Sequence, residues 1–294
     1  NVLDFVDEDR HELNMSYHFD ISNLGHKDLA KKLMDENGWN FKEFKEIFIK
    51  WDEVFDKKGW GTIYLGNHDF PRMASRWGND SPEFREISSK MLTTFLLTMR
   101  GTPYYYFGDE LGMTNIRFEN IEDYRDIMTL NLYKLIKKEG GDPEEFMESQ
   151  KIAARDNSRT PIQWDDTENG GFTTGNPWLK VNPNYKTVNA AAEEKDENSP
   201  LNYFRKLTAL RKAEPTLIYG KYTLIDKDNE NVYAYTRELN GKKLLILLNF
   251  KDKEATINTG FDLSKAKVLL GNYKDFSTDG KLKPYQAVIL ELSN

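Results

Sequence analysis

The feature that most constrains the fold is a change of period near residue 215. Before it, short apolar runs at 14–19, 62–65 and 103–107 alternate with stretches of helical spacing. Such alternation produces parallel strands joined by crossover helices. After Asn40, the side chains of Phe41, Phe44, Phe48, Trp51 and Phe55 recur every three or four residues, which puts them on one helical stripe. Asn40 is the expected N-cap of that helix and Gly59 its stop. Ser81-Pro82 predicts a second helix start, with Ile87, Met91, Leu92, Phe95 and Met99 facing inward and Gly101 at the end. Further helices are expected over 122–138 and from Asp142-Pro143 to 154, and Ser199-Pro200 opens a last one with Phe204, Leu207 and Leu210 inside. Between them, residues 155–198 are rich in Asn, Asp, Gly and Thr, and a loop of that length in a compact domain usually carries function or is disordered. Beyond 215 no helical spacing occurs. Short strands are expected at 222–225, 232–236, 244–250, 255–257, 268–270 and 287–292, with Asn240-Gly241 as a hairpin turn. The expected division is an α/β part over 1–215 and an antiparallel β domain over 216–294.

Composition removes several functions. Lys and Arg number 41 against 48 Asp and Glu, a formal charge of −7, so nucleic acid and anionic membrane surfaces lack an electrostatic attraction to this chain. No apolar run approaches the ~20 residues of a membrane span. Cysteine is absent, which excludes disulfides, thiolate nucleophiles and Cys-ligated zinc. The four histidines, His11, His18, His26 and His68, show no helical i, i+4 pairing, so no metal is expected. No Gly-x-Gly-x-x-Gly, Walker loop or Gly-x-Ser-x-Gly occurs, and no cofactor is expected. Aromatic residues make up 13% of the chain, enough for a core and for surfaces that stack on a ring-shaped ligand, although core packing alone also accounts for them.

In parallel α/β folds, chemistry gathers where strands end at their carboxyl side. Gly66-Asn67-His68-Asp69 follows the second apolar run. There an Asp beside a His can bond neighbouring sugar hydroxyls and hold negative charge near a developing cation. A turn or helix cap serves the same residues equally well. Gly108-Asp109-Glu110-Leu111-Gly112 follows the third run. Its adjacent carboxylates diverge, and the flanking glycines favour a tight loop over a catalytic pair. The segment Arg155 through Trp164 brings two Arg, an Asn, a Gln and a Trp into ten residues, suited either to hydroxyl recognition or to a self-braced loop.

Taken in order, these motifs resemble the α-amylase superfamily of glycoside hydrolases, in its α-glucosidase and oligo-1,6-glucosidase branch. The match is carried by Leu65-Gly66-Asn67-His68-Asp69, Ser75-Arg76-Trp77-Gly78-Asn79-Asp80, Gly101-Thr102-Pro103-Tyr104, Gly108 through Asn115, Tyr124-Arg125-Asp126, Arg155 through Trp164, Gly171-Phe172-Thr173-Thr174 and Val181-Asn182-Pro183-Asn184-Tyr185. The resemblance implies a (β/α)8 TIM barrel followed by an all-β sandwich domain. It implies a retaining mechanism with an Asp nucleophile and a Glu acid/base, acting on short α-glucosidic oligosaccharides. Within that pattern Asp69 is the third carboxylate, the transition-state stabiliser. His68 is its sugar-binding neighbour, Arg155 closes the pocket around the terminal glucose, and Met128 lies on the acceptor side where α-1,6-cleaving relatives often carry Glu.

The family's nucleophile lies in Gly-x-Arg-x-Asp, which these 294 residues lack, and Glu110 is a poor substitute acid. A barrel needs eight strands and about 250 residues, whereas three strands are visible before the β domain. The expectation is therefore the C-terminal portion of the barrel, in a chain that opens with Asn1-Val2 rather than Met, inactive alone and prone to self-association through unpaired barrel edges. A sugar isomerase or glucosyltransferase of the same superfamily, or a non-catalytic carbohydrate-binding or scaffold homologue, are the alternatives. The expected compartment is the cytoplasm, with the periplasm as the alternative.

Overall fold

The stripe after Asn40 forms helix α1, Phe41–Lys58. Asn40 Oδ1 accepts from the backbone N–H groups of Lys42 and Glu43 at 2.9 and 3.1 Å, so two orphan donors of the first turn are satisfied, and Gly59 ends the helix. Phe44 and Phe48 are buried against Phe95, with ring centroids 5.5 and 4.8 Å away. The computed structural model describes residues 2–293, except for the side chain of Lys57.

Three parallel segments stand side by side. Ser16 bridges Gly61 in parallel, and β1 (Thr62–Ile63) pairs in parallel with β2 (Thr102–Pro103), Thr62 opposite Thr102. The ladder is shorter than the apolar runs predict. The 14–19 run contributes a single bridge, and Tyr104 N–H makes one further bond to Ile63 O at 2.8 Å. Pro103 offers no N–H, which limits the pairing of β2.

Helix α2, Arg85–Thr98, starts a turn later than Ser81-Pro82 predicts. Ser81 does not cap it: its Oγ is buried without a partner, and its carbonyl accepts from Phe84 and Arg85 in a preceding turn. Nearly every side chain of α2 is buried, because the helix packs against the helix Pro200–Ala213 and the strands Lys242–Asn249 and Ala287–Glu291. Three threonines make this tolerable. Thr93, Thr94 and Thr98 each donate to the carbonyl four residues back, and their hydroxyls meet those of Tyr105, Tyr203 and Tyr235 at 2.5–2.8 Å.

Helix α3 runs Ile127–Lys138, not from 122. Residues Ile121–Asp123 form a separate 3-10 turn. The backbone N–H groups of Arg125 and Asp126 are engaged by Asp156, so the chain stays extended until Asp126 caps the helix through Thr129. Helix α4, Pro143–Ala153, has the expected Asp142 cap. Helix α5, Pro200–Ala213, has the expected Ser199 cap and buries Leu207, while Phe204 and Leu210 are half-buried. The long loop is ordered by amides: Asn182 Nδ2 donates to Thr114 O at 3.0 Å, and Gln163 Nε2 to Asn184 Oδ1 at 2.9 Å.

The C-terminal sheet contains β3 (Lys221–Ile225), β4 (Val232–Leu239), β5 (Lys242–Asn249), β6 (Lys267–Gly271) and β7 (Ala287–Glu291), in the spatial order β3-β4-β5-β7-β6, all antiparallel. Asn240 and Gly241 both take positive φ, 51° and 83°, as a tight hairpin turn between β4 and β5 requires. Alternation gives each face its own core. Tyr233, Tyr235, Leu244 and Ile246 pack toward α1 and α2, while Val232, Ala234, Leu245 and Leu247 pack under a second ladder. That ladder pairs Ala255–Thr256 with Lys281–Leu282, a strand the sequence pattern does not reveal.

Candidate active site

The turn after β1 is built by its own side chain. Asn67 Oδ1 accepts from Asp69 N–H at 2.7 Å, which turns the Asp69 carboxylate out of the strand. Asp69 Oδ1 then meets two guanidinium groups, Arg155 Nε at 3.3 Å and Arg159 Nη2 at 3.2 Å. Arg159 also donates from Nε to the carbonyl of His68 at 2.7 Å, fixing the turn from the backbone side. Both arginines come from the start of the long loop, four residues apart around the 3-10 turn Arg155–Asn157.

Two further carboxylates anchor these arginines. Asp126 Oδ1 lies 3.8 Å from Arg155 and 3.5 Å from Arg159, and Asp156 Oδ1 is 3.8 Å from Arg159. Asp156 is fully buried, and its other oxygen accepts from the N–H groups of Arg125 and Asp126 at 2.6 and 2.8 Å. A hydrogen-bonded carboxylate of this kind positions charge without itself being reachable. Asp69 differs, with 44% of its side chain exposed.

The carboxyl end of the parallel strands opens into a cleft of about 440 Å³. Tyr17, Phe19, Tyr64, Tyr104 and Tyr106 form its aromatic walls, and the turn from Gly66 to Asp69 forms its polar end. Tyr17 and Tyr104 belong to the two outer segments, yet their ring centroids are only 4.9 Å apart, edge to face. Aromatic faces beside a carboxylate and an imidazole suit a pyranose, whose C–H groups stack while its hydroxyls bond. His68 is 71% exposed, with Nε2 at 3.6 Å from Asp69 Oδ2, too long for a hydrogen bond and so open to another partner.

The structure thus brings His68, Asp69 and Arg155 together. Met128 sits half-buried in the first turn of α3, two residues after Asp126, and does not line the cleft. Sequence reasoning assigns no individual role to Arg159, Asp126 or Asp156. The signal for Arg159 was its four-residue spacing from Arg155, whereas nothing local marks the two aspartates.

The second carboxylate pair behaves differently. Asp109 is buried, and burial pushes its carboxyl up to about 7 against the opposing pull of Arg72. Its Oδ1 lacks a hydrogen-bond partner. It lies directly beneath Gly66: a Cβ there would stand 3.0 Å from Asp109 Oδ2. Burial also raises the carboxyl of Glu110. Neither residue lines the cleft. Among the histidines, His18 is packed flat on Trp51 at 4.7 Å, and burial lowers it to about 4. Among the described residues, no group of three or more His, Asp or Glu side chains is placed to hold a metal ion.

Comparison with known proteins gives the class. The family described as "Alpha amylase, catalytic domain" matches residues 1–220, and "Maltogenic Amylase, C-terminal domain" matches 222–289. The chain belongs to the alpha-amylase family of glycoside hydrolases, and its fold is an alpha-amylase catalytic portion followed by an antiparallel β domain. More particularly, it is 42% identical to the oligo-1,6-glucosidase of Parageobacillus thermoglucosidasius, over 98% of this chain and 52% of that protein. It is 38% identical to the trehalose-6-phosphate hydrolase of Bacillus subtilis strain 168, over 100% of this chain and 53% of that protein. Among solved structures, isomaltulose synthase from Klebsiella sp. LX3 superposes with a TM-score of 0.93 at 38% identity, over 99% of this chain and 53% of that one. The chain spans about half the length of the curated relatives it matches.

Proposed function

We propose that this chain supplies the glucose-binding and transition-state-stabilising half of a retaining α-glucosidase site, acting on short α-glucosidic oligosaccharides. The observation that carries the reading is the Asp69 carboxylate, accessible at the end of an aromatic cleft and held by Arg155 and Arg159 at 3.3 and 3.2 Å. Two guanidinium groups fix its orientation before any sugar arrives, so little reorganisation accompanies the reaction. An accepting carboxylate bonds the glucose hydroxyls, and its negative charge favours the oxocarbenium-like transition state. His68 donates to a neighbouring hydroxyl, and Arg155 closes the pocket around the non-reducing glucose. Met128 stands outside this cleft, and its assignment to the acceptor side rests on the family resemblance alone. The nucleophilic Asp and the acid/base Glu come from residues outside this sequence, in the half of the relatives that it does not span.

A chimera tests this. The uncovered half of the Parageobacillus oligo-1,6-glucosidase, joined ahead of residue 1, should hydrolyse an aryl α-glucoside. Asp69→Ala should abolish that turnover, and residues 1–294 alone should show none. Turnover by 1–294 alone, or a chimera indifferent to Asp69→Ala, would sink the reading. Transfer to a sugar instead of water is the second reading, favoured by the match to isomaltulose synthase. Product analysis of the same chimera on sucrose, maltose and isomaltose separates the two.

A further inference from the structure

We propose that Arg72 and Asp109 form a buried positioning pair for Asp69: neutral Asp109 leaves Arg72 to hold the long loop in place, and ionised Asp109 draws Arg72 away and slackens the grip of Arg159 on Asp69. The proposal deepens the half-site reading above and rests on it.

The geometry comes first. Arg72 lies three residues beyond Asp69, and its backbone N–H donates to Asn115 Oδ1 at 3.0 Å. Its buried guanidinium donates from Nη1 to Phe107 O at 2.6 Å, and from Nη2 to Thr160 O and Oγ1, both at 3.3 Å. The same group stacks on Phe107, 4.8 Å from the ring centroid. One side chain therefore ties the turn after β1 to the turn after β2 and to the start of the long loop. Thr160 directly follows Arg159, which holds Asp69 Oδ1 at 3.2 Å and the His68 carbonyl at 2.7 Å. Asp109 supports the turn from beneath, its Oδ2 standing 3.0 Å from where a Cβ on Gly66 would be.

Two buried atoms of this pair, Arg72 Nε and Asp109 Oδ1, lack hydrogen-bond partners. Unsatisfied buried groups are costly, so a fold that keeps two together calls for a reason. Asp109 is the carboxylate that acts most on Arg72, yet among the described residues no ion pair or hydrogen bond joins them. The other groups around Asp109 offer it no cation. Glu110 of the same turn opposes its charge, and Tyr105 and Tyr106 of the preceding run bring neutral phenols. Arg85 of α2 gives its Nη1 to the carbonyls of Leu111 and Gly112, and α5 presents the apolar Leu201. Burial keeps Asp109 protonated up to about 7. Neutral, it makes no claim on Arg72. Ionised in a low-dielectric interior, it attracts the guanidinium strongly. Arg72 must shift to reach it, and that shift lengthens the bonds to Thr160 beside Arg159.

The test follows hydrogen exchange of residues 1–294 against pH, corrected for the base catalysis of exchange itself. The amides of Asn157, Ser158 and Arg159 bond to the carbonyls of Ala154, Arg155 and Asp156. Their protection should fall at least ~10-fold between about pH 5.5 and pH 8.5. The midpoint should lie at about 7. Asp109→Asn should abolish the step, and Asp109→Glu, which restores a carboxyl, should bring it back. Asp52→Asn, which removes another raised carboxyl, should leave the step in place. The midpoint on the unmutated chain is read independently of how well any variant folds. In the chimera described above, Asp109→Asn should reduce the ratio of kcat at pH 6 to kcat at pH 8.5 by at least ~3-fold, with the limb of the acid/base Glu remaining. An exchange step in a chimera without turnover overturns the half-site reading and leaves Arg72 and Asp109 as the hold on the Asp69 turn. No step near 7, a step that survives Asp109→Asn, or an active chimera whose pH profile ignores Asp109→Asn overturns the positioning role.

Discussion

Two strand ends in this molecule carry nearly the same chemistry and meet opposite fates. Gly66-Asn67-His68-Asp69 follows β1, and Gly108-Asp109-Glu110 follows β2. At the first, the Asn67 side chain turns Asp69 outward to two arginines and an open cleft. At the second, glycines of positive φ at 108 and 112 fold the chain under, and Asp109 ends beneath Gly66 with one oxygen unpaired. Arg72 lies close to Asp109 but spends its hydrogen bonds on the carbonyls of Phe107 and Thr160. A carboxylate that is paired and accessible is poised for a ligand. One that is buried with an oxygen left unsatisfied stores a penalty that depends on pH.

The largest effect should come from the first site. In the active chimera, Asp69→Asn should lower kcat by about 10³-fold, the scale of losing a preorganised electrostatic contact, while the thermal midpoint stays close to the parent's. A change below tenfold would erase the functional contrast with Asp109.

Next comes the pH dependence of stability. Asp109 is pushed up to about 7 from an ordinary 3.8, so the folded state binds its proton more tightly than the unfolded state. The corresponding stability is fully present below pH about 4, is lost as pH rises toward 7, and levels off above that. Asp52, raised to about 6, and Glu193, raised to about 7, contribute slopes of the same sign. Asp109→Asn should remove a share of the slope on the order of 4 kcal/mol, read from urea unfolding at pH 4 and pH 8. An unchanged slope would show that Asp109 is paired or hydrated after all.

Gly108→Ala should cost about 2 kcal/mol in the same urea assay. Its φ is +85°, and a Cβ would lie 2.5 Å from Met113 Sδ and 2.7 Å from Arg72 Nη1. Smallest of all, Arg159→Lys in the chimera should reduce kcat about fivefold with little change in KM, because a lysine keeps the charge but cannot hold Asp69 and the His68 carbonyl at once. Equal effects of Arg159→Lys on stability and on kcat would reduce Arg159 to a loop brace.

Much of this was legible in sequence because it is local. The Asn40, Asp142 and Ser199 caps lie within three residues of the N–H groups they satisfy. The stripe of α1 and the Asn240-Gly241 hairpin are likewise short-range patterns. The late starts of α2 and α3 were not legible, since the first turns on the burial of Ser81 and the second on a carboxylate thirty residues away. The strand Lys281–Leu282 escaped for a related reason: two residues carry no period, and only their pairing with Ala255–Thr256 makes them a strand. At the candidate site, motif order placed His68, Asp69 and Arg155 in one group, while the supporting Arg159, Asp126 and Asp156 emerged only from distances.

By itself, the sequence determined the α/β-then-β order, the family and the residues at the strand ends, because periodicity, caps and motifs act over a few residues. Tertiary structure alone decided which of two similar aspartates opens into the cleft. That choice depends on contacts between segments far apart in the chain: the long loop returning Arg155 and Arg159 to Asp69, and a glycine at 66 leaving room for Asp109 below it.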